Sequence, residues 1–404
     1  MAVLGLNNQG MLHQVFLTNS QTWTAEKSGI IRVVCIGSGG GGGVACNDGK
    51  GTGGGAGGYS EQTISVASGS TYTVTVGVAP IFKNVSNSSD NSGKINGGNG
   101  GASRFVTASG TTIDINAGGG SGGLATRAAD GAVAGGAGGT ASGGTINRVG
   151  GAGGAIVGST ANAAECATGG GAVAIRSTVG FAGGQMTGMA SGGSSATGGG
   201  GIGGAGGATT AVNRASNGGG SGGAGIENAS VVQSYNNFRF NNGGISTSFI
   251  TGLLEASASG YQASASSHGY YSRSVGDQSA NQNSGNQAYG GNIFDCYGMG
   301  GAAAFGITGA ASQGRLQGFA GGGGGGCAVL PDNNTNNVTA RNFGGIFSGG
   351  GGKVSEQGLS NNMECGHGGS FGGGGGGGVT RQNAQAFAGM GGAGVIIIHW
   401  LAYG

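Results

Sequence analysis

The chain has 404 residues, of which 108 are glycine and two are proline, with 36% hydrophobic and 7% charged residues and a net charge of +2. So few charges exclude the repulsive composition of a disordered chain, two prolines exclude collagen, and dense apolar blocks exclude a flexible linker. Near-neutrality excludes a strong electrostatic pull toward nucleic acid or membrane, and no apolar run reaches the roughly 20 residues of a membrane helix.

Met1 to Gly10 has neither a cationic start nor a long apolar core, so the expectation is a protein made in a cytoplasm without a signal peptide. Residues 12–36 read as strands: Val15 and Leu17, then Trp23, then the β-branched run Ile30 to Ile36. Residues 59–76 predict a hairpin with one buried face, because Ile64 and Val66 alternate with polar neighbours, Ser68-Gly69-Ser70 offers a turn, and Tyr72, Val74 and Val76 alternate again. Phe105 to Ile115 predicts a second hairpin turning at Ser109-Gly110. Polar inserts follow at Ile81 to Asn96, at 226–300 and at Asp332 to Asn342, and Val395 to Trp400 closes the chain as a strand buried on both sides.

Glycine segments fill the intervals. Gly135-Gly136-Ala137-Gly138-Gly139-Thr140 and Gly203-Gly204-Ala205-Gly206-Gly207-Ala208 repeat as GGX. Three residues per turn is the period of polyproline II, which has no internal hydrogen bonds. Every X then lies on one edge, and the bare edges let neighbouring backbones approach and satisfy one another. Runs of glycine alone, Gly321 to Gly326 and Gly372 to Gly378, belong at the centre of such a bundle, with Gly321, Gly323, Gly326, Gly372, Gly375 and Gly378 as scaffold positions. The expected fold is mainly β with polyglycine-II helices and essentially no α-helix. Strands from both termini frame a packed bundle of left-handed glycine helices. The expected parts are 1–120 (strands, hairpins and first glycine runs), 121–225 (GGX bundle), 226–300 (polar aromatic insert) and 301–404 (glycine runs and closing strand).

Little in the chain supports chemistry. Frequent GxGxxG matches follow from composition, and none opens a helix after a strand with an acidic partner. The pairs Gly49-Lys50 and Gly93-Lys94 are followed by Gly51 and Ile95 instead of a hydroxyl residue, so neither makes a phosphate loop. Cys365 and His367 lie beside Glu364 without a second ligand cluster, and read as a polar loop. Four histidines and 14 scattered carboxylates point to no acid–base pair. The expectation is no enzyme, no cofactor, no metal and no nucleic-acid partner. Cys35, Cys46, Cys166, Cys296, Cys327 and Cys365 form no CxxC pair and read as half-buried, reduced thiols.

The insert at 226–300 is the candidate for recognition. Tyr235, Phe238, Arg239, Phe240, Tyr261, His268, Tyr270, Tyr271, Arg273, Tyr289 and Tyr297 stand there among Asn and Ser, and Asn333 and Asn334 lie in the smaller insert. Tyrosine brings contact area at low entropic cost, and Asn and Ser bring adaptable hydrogen bonds. The same aromatics also suit a small satellite core or a contact with a neighbouring subunit.

Gln21-Thr22-Trp23-Thr24, the strand Ile31 to Ile36, Gly39 to Gly43, Gly54-Gly55-Ala56-Gly57-Gly58-Tyr59, Thr71 to Gly77, Gly97 to Ser103 and Gly391 to Ile398 follow in that order. In this the chain resembles the glycine-rich domain of bacteriophage tail-fibre and tail-tip proteins, and the polyglycine-II architecture of long-tail-fibre adhesins. After Trp23 it departs from the family's proline-set turn, reading Ala25-Glu26-Lys27-Ser28-Gly29. The resemblance implies a virion protein at the distal tail, partnered by other tail proteins, that attaches to a host cell-surface glycan or outer-membrane protein through loops on a glycine scaffold. A monomer and a homotrimer fit equally. Two other classes remain: a structural tail cap or decoration protein, and an ice-binding or cell-wall glycine-rich protein, whose regular Thr rows are not matched by X positions mixing Ala, Ser, Thr, Ile and Asn.

Overall fold

A computed structural model describes residues 14–46, 49–81, 83–85, 93–108, 113–127, 131–157, 164–176, 178–187, 193–202, 204–209, 214–216, 218–219, 227–228, 239–242, 261–264, 304–305, 327–329, 343–355, 363–380 and 386–403. The described part is mainly β and contains no helix. One end is a sandwich of two antiparallel sheets. The first sheet runs Gln14–Leu17, Val395–Tyr403, Gly29–Ile36, Tyr59–Val66, Ile146–Arg148. The second runs Ala141–Ser142, Asp114–Ala117, Ser103–Thr107, Thr71–Thr75, Gln21–Thr24. Alternate residues of both sheets (Ile31, Val33, Ile64, Tyr72, Val74, Phe105, Ile115, Ile396 and Ile398) close the core between them. Trp23 caps it, with ring centroids 5.6 Å from Tyr72, 6.0 Å from Phe105 and 6.3 Å from Trp400.

Val395–Tyr403 carries apolar residues on both faces, as its sequence predicts. Ile396, Ile398 and Trp400 enter the sandwich, while Val395 and Ile397 face a second core behind the sheet with Val34, Ile36, Tyr59, Val173, Ile175 and Phe347. At 105–115 the two strands pair antiparallel, with Phe105 opposite Ile115, and the turn expected at Ser109-Gly110 lies outside the described residues. The hairpin expected at 59–76 does not. Tyr59–Val66 pairs with Gly29–Ile36 in the first sheet, and Thr71–Thr75 pairs with Gln21–Thr24 and Ser103–Thr107 in the second. The alternation and the turn are read correctly, since Ile64, Val66, Tyr72, Val74 and Val76 are buried and Gly69 turns at φ 83°. The two strands instead face each other across the core as an arch. Period-two patterning reports which face is buried and says nothing about which edge is hydrogen-bonded.

Beyond the sandwich the strands run on into glycine segments that bond mainly to other segments. In 37–43, Gly37, Gly40 and Gly43 donate to the carbonyls of Gly58, Gly55 and Thr52; Ser38 and Gly41 donate to Gly101 and Gly98; Gly39 and Gly42 donate to Gly392 and Gly389, all at 2.8–3.0 Å. Successive amides therefore address three neighbours and return to the first every third residue. The run Gly372 to Gly378 is buried throughout. It exchanges backbone hydrogen bonds with segments at 389–393, 40–43, 54–57, 168–171, 350–353 and at Gly366. An unpaired buried peptide group costs about 1–3 kcal/mol, and in 37–43 every amide is paired. At the margin the pattern opens outward: Ala134, Ala137 and Thr140 are exposed, while Gly136 and Gly139 are buried against Gly53 and Ala56. On another margin Asn96, Asn99 and Ala102 are exposed, and Asn99 and Asn96 accept from the amides of Gly122 and Ala125 at 2.8 and 2.9 Å.

On the far side of this glycine layer lie two six-stranded sheets. The third sheet runs Ala125–Arg127, Gly49–Gly51, Ala164–Ala167, Gly193–Ala196, Arg214–Ser216, Glu227–Asn228, and the fourth runs Ala304–Phe305, Cys327–Val329, Lys353–Ser355, Gly378–Thr380, Val44–Cys46, Lys94–Ile95. Their inner strands are parallel neighbours because successive passes cross the glycine layer in one direction. Ala167, Ala196, Val354 and Val379 pack where the two sheets meet.

His399 sits on the rear face of the first sheet, 8% exposed, opposite Arg32 and Gln14. Burial, and secondarily the Arg32 charge, pushes its pKa down to about 4. A depressed pKa means that the neutral ring's contribution is complete above the ordinary value of 6.5 and is lost as pH falls toward 4. The expected outcome is about 2 kcal/mol of acid-side destabilisation over that window. Urea titrations at stepped pH should show it, and His399→Gln should flatten it. An unchanged slope in the variant refutes the assignment.

Candidate functional site

The large insert is rooted at one place. Its leading described strand, Glu227–Asn228, is the outer strand of the third sheet, bonded to Arg214–Ser216. The strand after it, Ala304–Phe305, is the outer strand of the fourth sheet and packs against Arg214–Ser216 as well. The two ends of the intervening stretch therefore meet on neighbouring edges. The described strand ends flanking residues 47–48, 86–92, 128–130, 158–163, 188–192, 210–213, 356–362 and 381–385 lie on this same side of the glycine layer, opposite the sandwich.

Three of the candidate recognition residues fall on one two-stranded ribbon. Arg239–Asn242 pairs antiparallel with Tyr261–Ser264, with Arg239 opposite Ser264, Phe240 opposite Ala263 and Asn242 opposite Tyr261. Tyr235, Phe238, His268, Tyr270, Tyr271, Arg273, Tyr289, Tyr297, Asn333 and Asn334 lie outside the described residues, as do Gly321, Gly323 and Gly326. Of the scaffold glycines, Gly372, Gly375 and Gly378 are described and buried. Gly372 enters its run at φ 74°, a conformation open to glycine.

A set of hydroxyls that fastens this platform escaped the sequence reading. Thr52, Thr168, Thr197 and Ser216 are fully buried and stand in register at the glycine ends of four adjacent strands of the third sheet. The Thr168 hydroxyl donates to the Gly154 carbonyl at 2.6 Å and accepts from the Gly53 amide at 3.0 Å. The Thr197 hydroxyl repeats this with Gly184 and Gly169 at 2.7 and 3.2 Å, and the Ser216 hydroxyl with Gly207 and Gly198. Thr52 donates to Ala134 at 3.0 Å and accepts from Leu124 at 2.7 Å. Each hydroxyl replaces one missing rung between backbones. The signal was there in Ala167-Thr168-Gly169-Gly170-Gly171 and again in Ala196-Thr197-Gly198-Gly199-Gly200.

Among the described residues no group of three or more His, Cys, Asp or Glu could hold a metal ion, and no helix is long and apolar enough to cross a membrane. Cys35, Cys46, Cys166 and Cys365 are buried thiols outside any disulfide, deeper than the half-burial expected. Burial pushes the Cys46 thiol up to about 11 and the Cys166 thiol up to about 12, the latter against the nearby Lys50 charge and with that of Glu165. Such thiols are poor nucleophiles. The His367 Nδ1 accepts from the Met390 amide at 3.0 Å, so this ring nitrogen holds the chain in place.

No curated protein matches the chain. The model of the glycine-rich domain family matches residues 16–237, more than half of the chain, covering the described sandwich strands up to Ile146–Arg148, the first glycine segments and the third sheet. The chain therefore belongs to the glycine-rich domain family.

Proposed function

We propose that this protein is a non-enzymatic adhesin of a bacteriophage tail fibre or tail tip, whose glycine segments form a bundle of polyglycine-II helices that holds recognition loops for a host cell-surface glycan or outer-membrane protein. The period-three return of hydrogen bonds in 37–43 supports the helical reading, because three residues per turn is what polyglycine II requires. The observation that carries the functional reading is polarity. The sandwich, with the first and last described strands Gln14–Leu17 and Val395–Tyr403, lies at one end, and the roots of the Tyr- and Asn-rich insert and of the shorter connections lie at the other. A stiff backbone-packed base lowers the entropy lost when loops engage a receptor. The virion location and the attachment to other tail proteins rest on the resemblance of Gln21 to Ser103 and Gly391 to Ile398 to tail-fibre sequences.

Deletion of residues 230–297 tests this. Because the roots at Glu227–Asn228 and Ala304–Phe305 both pack on Arg214–Ser216, the shortened protein should fold and assemble into particles. Those particles should fail to adsorb to cells. Particles that adsorb normally without the insert would refute the recognition role and favour a tail cap, whose position inside the tail an immunogold label would show.

A further inference from the structure

The rear face of the first sheet is covered only in part. Cross-strand partners share a face, which places its side chains in rows: Arg148, Tyr59, Ile36 and Val395 nearest the glycine layer; then Ile146, Glu61, Val34, Ile397 and Phe16; then Thr63, Arg32, His399 and Gln14; and last Ser65 and Ile30. Val173, Ile175, Ile202 and Phe347 pack over the first two rows. Beyond them Thr63 and Ser65 are exposed, Ile30 is 41% exposed, and Leu401, at the bulge of Val395–Tyr403, is 44% exposed.

This open half is positively charged. Arg32 lies in it and Arg176 stands at its border, where Arg176 Nε reaches Glu61 Oε1 at 3.4 Å. Arg148 Nε donates to the Arg176 carbonyl at 3.4 Å. Against Arg32 and Arg176 the described residues of the face supply one carboxylate, Glu61, which is buried and also accepts from the Tyr59 hydroxyl, while Arg148 belongs to the covered row nearest the glycine layer. Arg32 Nε is buried yet has no hydrogen-bond partner. A guanidinium is a five-donor fork suited to a carboxylate, and a buried donor left unmade costs free energy.

We propose that this uncovered half-face, centred on Arg32 and Arg176 and edged by Ile30 and Leu401, docks a carboxylate-bearing segment of the protein that carries this chain. The assignment rests on the adhesin reading, since it uses the end opposite the recognition loops as the attachment end. A partner carboxylate at the accessible part of the Arg32 side chain offsets the local positive charge, while the segment's apolar residues cover Ile30 and Leu401.

The test uses the full-length protein and a fluorescein-labelled decaglutamate, read by fluorescence anisotropy at low salt. Saturable binding should weaken about tenfold in Arg32→Gln and in Arg176→Gln. It should stay unchanged in Arg104→Gln, whose guanidinium pairs with Asp114 on the second sheet. Arg32→Lys, which keeps the charge and loses the planar fork, should fall between wild type and Arg32→Gln, and a thermal melt of each variant, above all of Arg176→Gln, which removes the ion-pair partner of buried Glu61, establishes that it is folded in the assay. No binding by the wild type, an equal loss in Arg104→Gln, or equal affinity for a ten-residue oligothymidylate would each overturn the proposal. The protein lacking residues 230–297 should bind decaglutamate like the wild type, so failure of this docking is distinguishable from failure of receptor recognition.

Discussion

Gly375→Ala is expected to cost about 3 kcal/mol or more of unfolding free energy, beyond the usual range of a one-methyl change. A Cβ built on Gly375 would lie closer than 3.0 Å to the carbonyl oxygen of Gly389. That oxygen is backbone and has no rotamer to escape into. Gly375 also donates to Gly40 at 2.9 Å and accepts from Gly54 at 2.8 Å, so moving the segment away from Gly389 strains bonds on its other sides. Close-packed interiors transmit such strain. Gly131→Ala is the control, because a Cβ there meets nothing within 4 Å, and its effect should stay within about 0.5 kcal/mol. Denaturant midpoints of the two variants compare them directly. Equal midpoints would mean that the glycine interior is loosely packed.

Thr168→Val should be nearly as damaging, at about 3 kcal/mol, although it preserves shape. Valine fills the same volume but leaves the Gly53 amide and the Gly154 carbonyl without the hydroxyl that joins them. Each buried orphan costs about 1–3 kcal/mol. Thr168→Ser keeps the hydroxyl and should recover most of the loss. Hydrogen exchange supplies a local readout: the Gly53 amide should exchange faster in Thr168→Val and stay protected in Thr168→Ser. A Thr168→Val protein as stable as wild type would show that the hydroxyl row is incidental to the packing of the glycine layer.

The candidate site was legible in part. Composition drew attention to the insert, and Arg239, Phe240 and Tyr261 stand on one ribbon within it. The common footing of the insert on Arg214–Ser216 was not legible, because it joins strands from distant parts of the chain. The hydroxyl row was overlooked for a different reason. Thr168 and Thr197 precede glycine triplets in plain view, but a lone threonine before glycine reads equally well as an exposed rim residue until its strand has neighbours.

What the sequence determined by itself is everything with a local period. Two-residue alternation marked Ile64, Val66, Tyr72 and Val74 for burial, the apolar run from Val395 marked a strand buried on both faces, and GGX spacing marked Ala137 and Thr140 for the rim and Gly136 and Gly139 for the inside. The tertiary structure alone decided the pairings: that Tyr59–Val66 and Thr71–Thr75 lie in opposing sheets, and that Gly372 to Gly378 bonds to six segments drawn from across the chain. The physical reason is that a bare backbone carries the same donor and acceptor at every glycine. It can bond to any other such backbone, so the choice of partner is made by the side-chain-bearing strands, turns and hydroxyls at the ends of each segment.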